Sequence, residues 1–463
     1  MLTSALPASL AAKPTQRLSY YPYLMKALVF TSVLGLAVSF HKVYLFHLVL
    51  AVAVLINLGR NERGFLFDGL RLPNRYHFFF GFMFAWFAIG LAWSWDRAYT
   101  GQYLYYIACG GGLAIVVVKY IGTSPHRFHQ LLHAAKWAFA ADIAAGLLEA
   151  TTPFRLPISP FSSSADLESL DDLTNEAMNL VAGMPTGFHW NPNNYAMVVC
   201  LLLPFFLFHK RVSWALVGIS AIAFLAVTTN SRAALVAIVF MLLLLPAFRG
   251  KTAWVFASLV FVAGMQLAVV SNDTLVETMD TAFQALERYS GVEEDDDVDS
   301  IGVRRHLIEN GLAALRETHG LGVGGGADKR VQEERFSLTA KKIVTSMHHT
   351  WIELLVNGGV VFFVPFVCWY ASLTWQLFRR CRLWPVESFL GYSGRSLALA
   401  MCGLIPAAVA ASTAIYVLPM YLLFGMAIAW LNVSSAHITH QTAARPATQR
   451  VRRAPRPVLE RVA

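Results

Sequence analysis

Two consecutive runs decide how this chain is read: WALVGISAIAFLAV, Trp214–Val227, and ALVAIVFMLLLLPAF, Ala234–Phe248. Neither contains a charge, and only the short polar turn TTNSRA separates them. Uncharged runs of this length are what a bilayer selects, because a helix satisfies its own backbone and offers only apolar side chains to hydrocarbon. The whole composition agrees. The chain has 463 residues, 56% hydrophobic and 14% charged, with a mean hydropathy of +0.51, too apolar for a water-soluble domain. The expected class is an all-α polytopic membrane protein.

About twelve spans are expected, at roughly 23–40, 43–58, 77–95, 103–120, 131–149, 193–208, 213–229, 232–248, 253–271, 351–378, 396–412 and 414–432. Basic residues are retained in the cytoplasm during insertion, and they set the orientation. With the N terminus inside, Arg60, Arg63, Arg71 and Arg75, then Arg127 and Lys136, Lys210 and Arg211, Arg249 and Lys251, and Arg379, Arg380 and Arg382 all face the cytoplasm. The order along the chain is then a cytoplasmic N-terminal segment (1–22), helices one to five (23–149), an outer polar flap (150–192) and helices six to nine (193–271). A large outer loop with short helices follows, the expected catalytic segment (272–350), then helices ten to twelve (351–432) and a basic cytoplasmic tail (433–463).

The net charge of +9 is spread over loops that face the cytoplasm, so it does not argue for nucleic acid. The basic tail reads as a topology anchor, with contact to anionic membrane lipid as the alternative. No cleavable signal peptide is expected, since the opening segment is polar and the first apolar stretch begins a span. Cys109, Cys200, Cys368 and Cys402 stand in apolar segments and Cys381 in a basic turn, which is neither a disulfide nor a metal pattern. Without a phosphate loop or a dinucleotide fingerprint, no cofactor and no nucleotide-driven reaction are expected.

The long outer loop holds most of the chemistry. Its EEDDD run, Glu293–Asp297, lacks the alternating ligands and turn glycine of a calcium loop and reads as a hydrated link, with no metal assigned. GVRRHLIENGLAALRETHGLGVGGGAD, Gly302–Asp328, reads as an amphipathic helix with a glycine-rich stop. Ile308, Gly311 and Leu315 follow Arg304 at helical spacing, which puts this guanidinium in the middle of the apolar face, an expensive place for it. Arg305 stands at the edge, four residues before Glu309, where a surface pair is the simpler reading. The glycines suit either a helix cap with a sharp turn or a nest of amides around a phosphate.

Three further positions stand at the ends of apolar segments. Arg232 opens the eighth span, as a snorkelling anchor or as a fixed cation for a diphosphate. His348 and His349 precede TWIELLVNGGVVFFVPFV, Thr350–Val367. If the helix is already wound there, Glu353 lies one turn below His349 and orients its ring. Glu353 and Asn357 make a polar stripe, which must face protein or a wet cavity. Asn193, approaching the sixth span, is either a helix cap or a group that binds sugar.

At these residues the chain resembles a known family. TGFHWNPNNYA, TNSRAAL, GVRRHLIENGL with GLGVGGG, and HHTWIELLVNGG, in order between Pro185 and Val364, are similar to the bacterial O-antigen ligase and O-antigen polymerase superfamily. The resemblance implies a metal-independent, inverting glycan transfer at the outer face of the inner membrane. The implied donor is a glycan on undecaprenyl diphosphate. The implied acceptor is a hydroxyl of a lipid-linked or lipid A core glycan. Arginines would hold the diphosphate and a histidine would serve the acceptor. By motif these roles fall on Arg232, Arg304 and His348, with Asn193, Arg305, His349 and Glu353 as secondary contacts. The family has Asn where this chain has His349, whereas helix geometry pairs His349 with Glu353. The alternative function is a lipid-linked polysaccharide transporter or flippase without catalysis, which would show charge deep in the spans and repeat symmetry.

Overall fold

The computed structural model describes residues 20–35, 39–40, 43–59, 72–156, 184–189, 191–249, 300–336, 347, 349–411 and 414–443. Among them the chain forms helices α1 (Tyr21–Leu34), α2 (Leu45–Gly59), α3 (Phe78–Gly90), α4 (Arg97–Ile121), α5 (Pro125–Thr151), α6 (Pro192–Cys200), α7 (Leu203–Leu207), α8 (Val212–Thr228) and α9 (Arg232–Phe248). After the gap come α10 (Ser300–Glu317), α11 (Asp328–Phe336), α12 (Thr350–Cys381), α13 (Phe389–Ala407) and α14 (Leu418–Ala443). The strands described are the two-residue pair Ser39–Phe40 and Val43–Tyr44, a hairpin between α1 and α2.

Among the described residues, four stretches are long and apolar enough to cross a membrane: Arg97–Ile121, Pro125–Thr151, Thr350–Cys381 and Leu418–Thr439. Shorter apolar helices stand at most of the other expected spans, and the sixth is split into α6 and α7 at Leu201–Leu202, just before Pro204. The expected ninth span, 253–271, lies outside the described residues. Local signals set the ends. Ser124 caps α5 through the Arg127 amide with Pro125 in the first turn, and Asp96 caps α4 through the Tyr99 amide, each satisfying a donor that the first turn leaves open.

Small residues bring the helices together. Gly110 of α4 lies against the Tyr421 ring of α14, and Gly425 of α14 against Ala114, so these two helices run parallel in close contact. Helix α9 runs antiparallel to α13, with Met241 against Gly403 and the Arg395 Nε donating to the Phe248 carbonyl. Leu48, Val52 and Leu55 on α2, Leu216 and Val217 on α8, and Val360, Val364 and Val367 on α12 are exposed. Rows of large aliphatics facing outward are the surface a lipid-embedded bundle presents. The alternation of helix direction gathers Arg127, Lys210, Arg211, Arg249, Arg379, Arg380 and Arg382 at one end. The opposite end carries α10, α11 and the starts of α4, α6, α9 and α12. It has its own small core of Ala314, Val323, Ala327, Val331, Met347 and Val356, flanked by Trp95 and Ile352.

Candidate active site

The site is built on a broken helix. Gly359 in α12 has φ +70° and ψ 175°, well outside helical values, so the carbonyls just before it lose their partners from the next turn. The glycine-rich loop replaces those partners. Val323 donates to the Val356 carbonyl at 2.9 Å and Gly324 to that of Asn357 at 3.2 Å, while Val360 donates to the Gly320 carbonyl at 2.9 Å. The Trp86 indole takes the Gly358 carbonyl at 2.8 Å. Glycine is required at the junction, because a Cβ on Gly322 would stand 2.4 Å from the Gly359 nitrogen. The glycine stretch forms a turn against the span: the Val323, Gly324 and Asp328 amides donate to oxygens of α12, and the Gly322 amide donates to the Thr318 hydroxyl.

One side-chain pair locks the same junction. The Asp328 amide donates to Asn357 Oδ1 at 3.1 Å, and Asn357 Nδ2 donates back to Asp328 Oδ1 at 2.8 Å. Both residues are buried. Burial pushes the Asp328 carboxyl up to about 6, against the stabilising Asn357 hydrogen bond and the Lys329 charge. The polar stripe on α12 thus faces protein at Asn357, as the cost of a polar group in lipid demands. From α11, Gln332 reaches back to the Leu307 carbonyl at 2.9 Å, and the Tyr99 hydroxyl meets Glu333 at 2.5 Å.

Helix α10 brings its apolar face to this lobe. Leu307, Gly311 and Ala314 are buried, and a Cβ at Gly311 would touch Met347 and Val356. Arg304 and Arg305 stand in the first turns of α10, and their side chains lie outside the described residues. His348 also lies outside them. Its neighbour Met347 rests against Gly311, and its other neighbour, His349, caps α12.

His349 caps α12. The helix is not yet wound there: φ is −157° and ψ 94°, and the ring Nδ1 accepts the Ile352 amide at 3.3 Å while the backbone carbonyl accepts that of Glu353 at 2.9 Å. With Nδ1 accepting, the proton of a neutral ring sits on Nε2. The ring is then a cap, with the Nε2 proton left to donate. The first turn is held further by Thr350 donating to the Ala408 carbonyl at 3.1 Å and Trp351 Nε1 to that of Ile405 at 2.9 Å.

Arg232 begins α9 after a turn in which Asn230 takes φ +50°. Because α9 and α13 are antiparallel, Arg232 shares the C-terminal end of α13 with the start of α12. Asn193 does not cap α6. Asn191 does, accepting the Asn193 amide at 2.8 Å. Its neighbour Asn194 is the buried one and donates to the Tyr416 hydroxyl at 2.9 Å.

Sequence reasoning missed two carboxylates deep in α5. Asp142 and Glu149 are 0 and 1% exposed. Glu149 accepts the amides of Thr186 and Gly187 at 2.8 and 2.9 Å and of Leu156 at 3.2 Å. Asp142 accepts the Phe188 amide at 3.0 Å and lies 3.4 Å from His189 Nε2. Together they pin the segment that leads into α6. The signal was present in the sequence as two acids two helical turns apart in an apolar run, the pattern that marks an intramembrane polar site.

Fold and site define a class first: an all-α membrane protein whose helical lobe is clasped, backbone to backbone, onto a broken span. Residues 216–367, about a third of the chain, match the family model for O-antigen ligase, and this match supports the O-antigen ligase/polymerase superfamily. It takes in Arg232, Arg304, Arg305, His348, His349, Glu353 and the Gly359 break, and leaves Asn193 outside. A search of curated proteins found no match.

Proposed function

We propose that this protein is a membrane glycosyltransferase that moves an undecaprenyl-diphosphate-linked oligosaccharide onto a glycan hydroxyl, by an inverting step that needs no metal. The observation that carries the reading is the family match over the stretch that holds Arg232, Arg304 and His348. The geometry is compatible with it. Arg232 opens a helix at the end of the bundle that bears the docked lobe, α10 carries Arg304 on that lobe, and His349 fixes the start of α12 next to His348. In this reading Arg232 and Arg304 offset the charge that grows on the departing diphosphate, and His348 accepts the proton of the attacking hydroxyl. Asn193, Arg305, His349 and Glu353 support substrate or these groups. About twelve spans, with both termini cytoplasmic and this end on the outer face of the inner membrane, complete the proposal; the gathering of basic residues at the opposite end supports that orientation.

The test is transfer by the purified protein in liposomes with a polyprenyl-diphosphate oligosaccharide and EDTA, with Arg304→Ala and His348→Ala alongside. A ladder of longer lipid-linked glycans, lost in both variants, identifies a polymerase. Transfer only to an added lipid A core glycan identifies a ligase. No transfer to any acceptor, with the protein folded and inserted, rejects the enzyme reading.

A further inference from the structure

Beneath the first turn of α12 lies a cavity of about 20 Å³, room for a single water and far too small for a sugar or an isoprenoid. Its walls are largely apolar, with Phe80, Leu354, Phe366 and Trp369 among them. Four oxygen-bearing side chains nevertheless line it: Thr350 and Glu353 of α12, Tyr103 of α4 and Tyr421 of α14. All four are at least nine-tenths buried. The Thr350 and Tyr421 hydroxyls have no hydrogen-bond partner among the described residues. The Tyr103 hydroxyl lies toward Asn357 without a hydrogen bond of ordinary geometry. Glu353 lines the same space as Tyr103, Thr350 and Tyr421, so its carboxyl group belongs to the same cluster.

Buried hydroxyls are nearly always paired, since each gives up its bonds to water on folding and must recover them inside. Three unpaired in one place, from three helices and around one carboxyl group, are not three separate defects. They converge on a space the size of a water, and a water offers two donors and two acceptors, enough to meet hydroxyls that donate and a carboxyl oxygen that accepts.

We propose that this cavity is a hydration site, in which one water accepts from the Tyr421 and Thr350 hydroxyls and donates to Glu353, joining α12 and α14 beneath the turn that His349 caps.

The sign of a stability change tests this. If a water bridges the cluster, Tyr421→Phe removes one of its partners and leaves the rest poorly satisfied, so the Tm of the full-length protein in detergent should fall, by roughly 2–4 °C. Without a water, the same substitution deletes an unsatisfied buried hydroxyl and should leave Tm unchanged or raise it, which overturns the proposal. Thr350→Val should repeat the fall and Thr350→Ser, which keeps the hydroxyl, should not. A fall with serine equal to that with valine counts against the proposal. Exchanging Na⁺ for choline at constant ionic strength should leave Tm unmoved, whereas a sodium-dependent rise would make the occupant a cation and overturn the assignment of water. None of these readouts depends on transferase activity, so they stand apart from the test of the proposed function.

Discussion

Gly322→Ala should release the helical lobe from the broken span. The alanine Cβ would meet the Gly359 nitrogen at 2.4 Å, the Asn357 oxygen at 2.7 Å and the Gly358 carbon at 2.9 Å. All three atoms are backbone, so no side chain can rotate away. Relief to ordinary contact requires the two strands of chain to separate by about 1 Å. That stretches the 2.9 Å bond from Val323 to Val356 and the 3.2 Å bond from Gly324 to Asn357 beyond hydrogen-bonding range. Each lost bond is worth about 1 kcal/mol net, and a φ of +87° adds about 1 kcal/mol for a residue with a side chain. The total, roughly 3 kcal/mol, shifts the docking equilibrium about a hundredfold. Hydrogen-exchange mass spectrometry of peptides within 307–336 reads this directly as faster exchange, with membrane insertion unchanged. Gly81→Ala is the control, since its Cβ would meet nothing within 4 Å. Wild-type protection of the lobe in Gly322→Ala would refute the clasp.

Four other outcomes follow from the same geometry. The Asp328 carboxyl is raised by burial from 3.8 to about 6, so between about pH 4 and 6 the docked lobe binds a proton that the released lobe does not. Docking should therefore weaken as pH rises through that window, by on the order of 3 kcal/mol, and stay weaker above it; Asp328→Asn should flatten the dependence in exchange data corrected for intrinsic rates. Trp86→Phe removes the donor to the Gly358 carbonyl and should cost about 1–2 kcal/mol, read as a lower Tm. Because His349 acts as a helix cap, His349→Asn should keep both stability and transfer, while His348→Asn should lose transfer; the reverse pattern would exchange the two assignments. Arg304→Lys should cut transfer about tenfold or more with insertion intact, since a lysine cannot reproduce a forked contact to phosphate, and full activity would remove Arg304 from the site.

Much of this protein is legible without coordinates because hydropathy is a local property. A run such as Ala234–Phe248 has one stable solution in a bilayer, and α9 covers Arg232–Phe248. The starts of helices were less legible: α4 and α5 begin at Arg97 and Pro125, several residues ahead of the expected spans, where Asp96 and Ser124 cap with their own side chains. The buried acids of α5 were legible in principle, yet a charge in an apolar run says only that a partner exists. The partners of Glu149, the amides of Thr186 and Gly187, lie beyond a long intervening segment and are backbone groups with no letter of their own.

The sequence by itself determined the class of the molecule, the placement of its apolar helices, the one-sided distribution of its basic residues and the motif that ties it to a family. Only the tertiary structure decided what the glycines do, which histidine is a cap, and that Asp328 and Asn357 close on each other. The reason is physical. Hydropathy, charge and capping act over a few residues and leave a periodic trace, whereas a broken helix repaired by a loop is a contact between main chains, open to any glycine-rich sequence and chosen only by how the two segments meet in space.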